Sequence, residues 1–330
     1  MKQAELGFTF DISHTFASYC EANEINQAFI ITDENTRKFC LPLLPQRFPV
    51  ITIPPGEVSK TLATVETILG ELLEKNAGRH AVIFNLGGGV VTDIGGFAAS
   101  IYKRGIRYVN IPTTLLGMVD AAIGGKTGVD FQFYKNYVGT FYQPEAVLVS
   151  QQFLDTLPEE EKESAWAEVV KTALIAGKEV VRMIKSEEPL PRIIASVASL
   201  KQEICEKDPR DEDIRQLLNF GHTIGHAYES YRLSIGDPVR HGTAVAKGML
   251  YETILAVRLG LLSDAEADRM LNLITDQTHV SGLNEEEFRG LMPFLAGDKK
   301  NRQGFIVFSL PTAIGQGAYG IKVPQADLKF

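Results

Sequence analysis

The strongest constraint on the fold is an apolar run that ends in glycine. The stretch "HAVIFNLGGGVVTDIGG", residues 80–96, passes from strand-forming residues into three consecutive glycines and then into a helical pattern. Such a run is typical of a buried strand followed by a tight loop and a helix. Other short strand-like runs lie at residues 27–35, 49–57, 107–114 and 145–150. Since helical patterns such as residues 59–78 separate them, a largely parallel sheet covered on both faces is predicted.

Beyond about Leu157 the pattern becomes helical. Strand-like runs are almost absent until "GFIVFSLP", residues 304–311. Long helical patterns lie at residues 158–186, 196–208, 213–231, 242–260 and 263–277. We therefore expect an α/β domain over residues 1–155 and a mostly α-helical domain over residues 156–330.

Composition excludes several classes of protein. The formal net charge of −8 argues against nucleic acid as a partner, because phosphate backbones attract basic surfaces. The three cysteines are far apart, which predicts neither disulfides nor a cysteine zinc site and favours a reducing cytoplasm. The N-terminal stretch lacks a long apolar run, and no 18-residue apolar segment follows, so neither a signal peptide nor a membrane span is expected.

Two glycine loops suggest anion binding without matching a standard motif. "NLGGGVVTDIGG" fails the G-x-G-x-x-G pattern because Thr92 stands at its last position. A nucleotide phosphate at the helix start and a tight packing turn both remain open for this loop. "GGKTG", Gly124–Gly128, is not a P-loop because Asp120 stands where a glycine is required. Lys126 could contact an anion there, or the loop could be a surface turn.

A polar stripe follows in the helical half. Its members are separated by four, three, four and three residues: Arg215, Asn219, His222, His226 and Glu229. On one α-helix this spacing predicts that all five share a face, which usually means contact with solvent. Gly221 and Gly225 interrupt the same stretch, and glycine weakens a helix interior by about 1 kcal/mol. We therefore expect something to approach the backbone closely beside the histidines.

The residue types near this stripe are those of a metal site. His222 and His226 are spaced one turn apart, and His241 precedes the next helix. Glu168 and Lys171 lie one turn apart in an otherwise apolar helical pattern, where a buried carboxylate needs a partner. A catalytic zinc takes three such protein ligands and keeps one position open.

Ten motifs in this order resemble the 3-dehydroquinate synthase family of sugar phosphate cyclases, from about Pro54 to Lys300. They are "PPGEVSKTL", "GGGVVTD", "YKRGIRYVNIPTTLLGMVD", "GGKTGVD", "KNYVGTFYQP", "TLP", "AEVVKTALI", "LLNFGHTIGHAYE", "HGTAVAKGM" and "DKK". The resemblance implies a Rossmann-like, NAD-binding α/β domain followed by an α-helical metal-binding domain, with the active site between them. It also implies a homodimer.

Residue roles follow from the resemblance. It implies that Glu168, His222 and His241 hold the divalent metal, usually Zn2+, with Co2+ also accepted by N/O ligands. Residues implied at the substrate are His226, Lys126, Lys135, Asn136, Lys171, Lys201, Arg215, Asn219, Arg104 (reaching from the partner subunit) and Lys299 or Lys300. Residues implied at NAD are Asp33, Pro55, Gly56, Glu57, Val58, Ser59, Lys60, Gly88, Gly89, Val90, Val91, Thr92, Asp93, Thr113, Thr114, Asp120, Lys126, Lys135, Phe153, Leu154, Asp155 and Thr156.

The reaction that the resemblance implies suits these residue types. The family's substrate, 3-deoxy-D-arabino-heptulosonate 7-phosphate, carries a carboxylate and a phosphate, which a pocket of lysines and arginines would bind. Transient oxidation at C5 by NAD, phosphate elimination, reduction and an intramolecular aldol closure give 3-dehydroquinate. NAD is regenerated in each turnover.

Four positions depart from the family pattern. Thr92 replaces a usual Gly, Asp130 an Asn, Pro209 a Glu and Thr243 a Glu. Three other functions compete: a metal-dependent polyol dehydrogenase, a cyclase for another sugar phosphate, and a catalytically inactive descendant. The complete set of implied ligands and substrate lysines favours the dehydroquinate reaction over all three.

Overall fold

A computed structural model describes residues 4–132, 134–295 and 304–330. The chain forms two compact units, Met1–Pro158 and Glu159–Phe330. Lys299 and Lys300, which the resemblance assigns to phosphate binding, lie outside the described residues. Within the described ranges, no helix has both the length and the apolar character needed to cross a membrane.

The first unit alternates strands and helices. Its strands are β1 (Glu5–Thr9), β2 (Ala28–Asp33), β3 (Val50–Ile53), β4 (Val82–Gly87), β5 (Arg107–Pro112), β6 (Lys126–Phe131), β7 (Tyr134–Phe141) and β8 (Ala146–Ser150). Its α-helices are α1 (Ile12–Ala22), α2 (Glu34–Phe39), α3 (Leu62–Glu74) and α4 (Gly89–Ile101). Thr61 caps α3 by accepting from the Thr64 N–H, and Asp33 caps α2 in the same way from Thr36.

Six of these strands form one parallel sheet in the order β1-β8-β5-β4-β2-β3. The predicted parallel sheet is confirmed, and its central strands are mostly buried, with β4 buried along its whole length. In this order β2 and β4 are neighbours. The strand that follows β2, β3, lies towards one edge of the sheet, whereas the strand that follows β4, β5, lies towards the opposite edge. The carboxyl ends of β2 and β4 therefore border the crevice in which ligands of such sheets bind.

Two features of this unit were not predicted from sequence. The edge strand β1 pairs with β8, and β6 pairs with β7 as an antiparallel ribbon that begins at Lys126. The ribbon explains one glycine of the "GGKTG" stretch, Gly128, which lies within β6. A Cβ added to Gly128 would lie 2.6 Å from the Val138 carbonyl oxygen of the facing strand.

The second unit is mostly helical. Its helices are α5 (Glu159–Ala176), α6 (Lys178–Lys185), α7 (Leu190–Lys207), α8 (His222–Ser234), α9 (His241–Arg258), α10 (Asp264–Thr278) and α11 (Glu285–Leu295). One antiparallel hairpin completes it, β9 (Phe305–Ala313) with β10 (Gln316–Pro324).

The single long helix predicted for residues 158–186 is wrong. The first helix ends before Gly177, where the backbone leaves the helical conformation (φ −124°, ψ 64°), and α5 and α6 form instead. A Cβ at Gly177 would lie 2.7 Å from Leu200 Cδ2 of α7. Packing against α7, which local helical periodicity does not reveal, therefore accounts for the glycine at this break.

Candidate metal centre and cofactor edge

The polar stripe does not lie on one α-helix, and this prediction is wrong. Residues Ile214–Asn219 form a short 3₁₀ helix, and α8 begins only at His222. Gly221 between them has φ 79°, a left-handed conformation that ends the first helix and turns the chain into the second. Arg215 and Asn219 therefore precede the bend, whereas His222, His226 and Glu229 follow one another along α8.

Glycines bring three helix backbones into direct contact. A Cβ added to Gly248 of α9 would lie 1.9 Å from the Gly221 carbonyl oxygen, and one added to Gly225 would lie 3.0 Å from the Ala244 carbonyl oxygen. At the start of α9, a Cβ on Gly242 would lie 1.7 Å from the Ser164 carbonyl oxygen of α5. The expectation that something approaches the backbone beside the histidines is confirmed: α9 does so.

This close packing places three donor atoms around one point. Glu168 lies on α5, and His222 and His241 are the first residues of α8 and α9. Glu168 Oε1 is 3.4 Å from His222 Nε2 and 3.4 Å from His241 Nε2, and all three donors lie within 4.8 Å of one another. Tetrahedral zinc with bonds of about 2.0–2.1 Å separates its ligands by about 3.3–3.4 Å. The donor set fits a divalent cation.

Glu168 has the surroundings of a ligand rather than of a solvated acid. Its side chain is 1% exposed, and neither oxygen accepts a well-aligned hydrogen bond from a described residue. Lys171 Nζ lies 2.5 Å from Oε2 and forms a buried ion pair with it. A buried carboxylate whose oxygens have no aligned donor among the described residues still has lone pairs for a metal cation.

The other ring nitrogen of each histidine faces an acceptor. His222 Nδ1 lies 3.2 Å from the Phe220 carbonyl oxygen, and His241 Nδ1 lies 3.5 Å from Glu229 Oε2. Such contacts favour the tautomer with the proton on Nδ1, which leaves Nε2 as the ligand atom. Sequence reasoning placed Glu229 in the stripe but missed this contact. The available signal was that Glu229 follows His226 by three residues, a spacing that places both on the same face of a helix.

The charges around the donors shift their pKa values in opposite directions. Burial alone would raise the pKa of Glu168, but Lys171 and the two imidazoles hold it well below its usual range. Burial and Lys171 lower the pKa of His222 well below its usual value. Burial alone would lower the pKa of His241, but Glu168 and Glu229 raise it to about 9. The cluster therefore combines ionised and neutral groups with shifted pKa values, as is common at functional sites.

The other predicted residues of this unit lie in different environments. His226 is exposed, and its ring centroid is 5.2 Å from that of His222 and 5.9 Å from that of His241. Lys171, Lys201 and Arg215 are buried. Asn219 Nδ2 is buried and has no hydrogen-bond partner among the described residues.

In the first unit, the residues predicted for NAD follow the carboxyl ends of five parallel strands. Asp33 ends β2, residues 55–60 follow β3, residues 88–93 follow β4, Thr113 and Thr114 follow β5, and residues 153–156 follow β8. Ligands of open parallel sheets bind at this edge. Because Val91, Phe153 and Leu154 are core side chains, these three could contact a ligand only through their backbone.

The glycine loop leaves the first backbone N–H groups of α4 without a side-chain cap. Gly88 is the N-cap residue and has no side chain to bond the first N–H groups of the helix. A Cβ there would lie 2.9 Å from Thr114 Cγ2. Uncapped N–H groups at a helix start favour an anion such as a pyrophosphate. Asp120 lies in a π-helical turn, Gly117–Ala121, of the same unit.

One contact joins residues predicted for NAD and for substrate. Lys60 is buried, and its Nζ lies 2.7 Å from Asp93 Oδ2 and 2.5 Å from Asn136 Oδ1. Burial alone would lower the pKa of Lys60, but Asp93 raises it above its usual value. Asp130, at one of the departures from the family pattern, accepts from the Asn136 N–H. The structure thus places Asn136 beside two residues that are predicted for NAD, Lys60 and Asp93.

The remaining predicted cations are on the surface of this unit. Lys126 and Lys135 are exposed on the ribbon. Arg104 is exposed with φ 67°, beside Lys103 with φ 48° and Gly105 with φ 111°. Left-handed non-glycine residues are costly and cluster at functional loops.

Comparisons with known proteins agree with these features. The models of the 3-dehydroquinate synthase N-terminal and C-terminal regions match residues 50–164 and 165–301. A 3-dehydroquinate synthase of Parabacteroides distasonis is 34% identical over 96% of this chain and 93% of its own length. One of a Sulfurovum species is 42% identical over 81% and 77%.

A solved structure has the same fold. It is the 2-epi-5-epi-valiolone synthase of Streptomyces hygroscopicus subsp. jinggangensis, with NAD+ and Zn2+ bound. It superposes with a TM-score of 0.84 at 27% identity, covering 99% of this chain and 94% of its own. Together with the matched models and relatives, it shows that the chain belongs to the 3-dehydroquinate synthase family.

Proposed function

We propose that this protein is an NAD- and metal-dependent cyclase that converts 3-deoxy-D-arabino-heptulosonate 7-phosphate into 3-dehydroquinate and inorganic phosphate. The proposal places it in the shikimate pathway of aromatic amino acid biosynthesis. Membership of the 3-dehydroquinate synthase family, and relatives that carry this name over most of their length, support the assignment.

One observation carries the proposal further than the family name. Glu168, His222 and His241 present three donor atoms within 4.8 Å of one another, and Lys171 lies beside Glu168. A simple polyol dehydrogenase needs the metal but no cluster of cations for an anionic substrate. Three cations predicted for the substrate are buried in the same unit, Lys171, Lys201 and Arg215, and they favour a substrate that carries a carboxylate and a phosphate.

We assign roles to the chain's own residues as follows. Glu168, His222 and His241 would hold the cation, and Glu229 would orient His241. Lys171, Lys201 and Arg215 would bind the anionic groups of the substrate. Asn219, whose Nδ2 has no partner among the described residues, would donate an N–H to a substrate oxygen. His226, exposed beside the donors, would transfer protons. Lys126, Lys135, Asn136, Arg104 and Lys299 or Lys300 would complete the substrate contacts.

NAD, when bound, supplies a transient hydride acceptor, and the cation supplies Lewis acidity that lowers the pKa of the hydroxyl to be oxidised. The residues at the carboxyl edge of the sheet would hold NAD, with the start of α4 facing the pyrophosphate. Buried cations stabilise the leaving phosphate without a proton transfer of their own. Since oxidation and reduction occur at the same carbon, the reaction has no net redox change.

The division into an NAD-binding domain at residues 1–155 and a metal- and substrate-binding domain at residues 156–330 is part of this proposal. So are the homodimer and the cytoplasm as the site of action. Arg104 is exposed in a left-handed turn, so its side chain would be accessible to a partner subunit. The buried cysteines, Cys20, Cys40 and Cys205, form no disulfide, which suits a reducing compartment.

The test is release of inorganic phosphate from the heptulosonate phosphate by the zinc-loaded protein, with and without NAD. We expect phosphate release that depends on NAD, with no lasting absorbance from NADH. Steady accumulation of NADH with glycerol and no release of phosphate would favour a polyol dehydrogenase instead. Activity only with another sugar phosphate would assign a different cyclase reaction.

A further inference from the structure

The start of α8 lacks a local cap. The helix begins at His222, and the preceding Gly221 has no side chain to accept from the first N–H groups. The Gly221 and Ile224 N–H groups are buried, and an unpaired buried N–H is costly. Gly221 cannot be exchanged for a capping residue, because a Cβ there would lie 2.6 Å from Met249 Cγ and 2.8 Å from the Val245 carbonyl oxygen.

The cap comes from another helix instead. Glu252 of α9 accepts from the Gly221 N–H through Oε2 at 2.6 Å and from the Ile224 N–H through Oε1 at 3.1 Å. Its side chain is 0% exposed and stands among apolar residues of α9. An apolar side chain would fill this space without the cost of burying a carboxyl group. Its two bonds to the α8 backbone are the reason for a carboxyl group here.

These bonds connect the two histidine ligands. His222 follows Gly221 directly, and Ile224 is two residues further along α8. The two hydrogen bonds of Glu252 therefore hold the backbone before and after the proposed metal ligand His222. His241 begins the helix that carries Glu252. We infer that Glu252 is a positioning residue, which fixes the start of α8 against α9 and thereby sets His222 at the distance from His241 and Glu168 that a single cation requires. This inference rests on the proposed metal site.

The test compares zinc affinity in three variants by competition with a chelator. In Glu252→Gln one oxygen becomes an NH2 donor that faces a backbone N–H, and Glu252→Leu removes both acceptors. We expect the zinc dissociation constant to rise by about 10- to 100-fold in Glu252→Gln, as for other residues that orient metal ligands, and further in Glu252→Leu. Thr253→Val is the control, since Thr253 is equally buried on α9 and bonds the Met249 carbonyl oxygen of its own helix.

A second readout separates positioning from general loss of stability. The visible absorption of the Co2+-loaded protein reports ligand geometry, so Glu252→Gln should alter the band while Thr253→Val leaves it unchanged. A folded Glu252→Gln protein with wild-type zinc affinity and wild-type cobalt spectrum would overturn the inference. So would equal loss of affinity in Thr253→Val. If the wild-type protein itself binds neither ion, the proposed metal site fails rather than the role of Glu252.

Discussion

Replacing Gly248 by alanine should open the metal centre. The added Cβ would lie 1.9 Å from the Gly221 carbonyl oxygen, 2.8 Å from Gly221 C and 2.9 Å from the Gly225 nitrogen. Ordinary contact begins near 3.4 Å, so α9 would have to move away from α8 by about 1.5 Å. Metal ligand distances tolerate only about 0.2 Å. The His222 and His241 donors could not then share one cation.

We expect Gly248→Ala to lose at least tenfold in zinc affinity. Its free energy of unfolding should fall by about 1–3 kcal/mol, as for other overpacked sites, so that it unfolds at a lower urea concentration. Bound zinc per chain after dialysis and urea unfolding followed by circular dichroism measure the two effects. Gly70→Ala is a matched control, since this glycine is also inside a helix but no atom lies within 4 Å of its added Cβ. It should be neutral or stabilising, by up to about 1 kcal/mol.

A Gly248→Ala protein that keeps one tightly bound zinc and wild-type stability would refute the reasoning. It would show that contact between the α8 and α9 backbones does not determine the ligand distances.

Three further predictions concern single residues. His222→Ala should lose bound zinc, whereas His226→Ala should keep most of it while activity falls; equal zinc content in the two variants would disprove the division of roles. Burial raises the pKa of Glu252 to about 8, against 4.5 for a free carboxyl. Between these values the folded chain holds a proton that the unfolded chain has released, so the unfolding free energy of the metal-free protein should fall as pH rises from 4.5 to 8, and Glu252→Gln should lose this slope. A parallel pH dependence in both proteins would contradict the assignment. Burial raises the pKa of the Cys20 and Cys40 thiols to about 11, so neither should react with iodoacetamide at pH 7.5 before unfolding; mass spectrometry of the native protein checks this.

Local patterns predicted the first unit well. The apolar run before Gly87 became β4, and the glycines after it became the start of α4, because both signals lie within one short stretch. The ribbon of β6 and β7 was missed, since its pairing depends on which distant segment faces each strand.

The donor set of the metal centre could be proposed from sequence, but the shape of its helices could not. The spacing from Arg215 to Glu229 fits one α-helix, yet the chain bends at Gly221 because α9 passes against it and Glu252 accepts its N–H. That cap comes from 31 residues further along the chain, beyond the reach of any periodicity. A buried acid in the apolar run "GMLYETILAV" was nevertheless a signal of the same kind as Glu168, and it was overlooked.

The central claim is that one carboxylate and two imidazoles share a cation, and X-ray absorption at the zinc edge of the zinc-loaded protein tests it most directly. We predict two imidazole nitrogens at about 2.0–2.1 Å and carboxylate oxygen at about 2.0–2.2 Å, with the zinc lost in Glu168→Gln. A sulfur neighbour at about 2.3 Å, or three imidazoles including His226, would contradict the account.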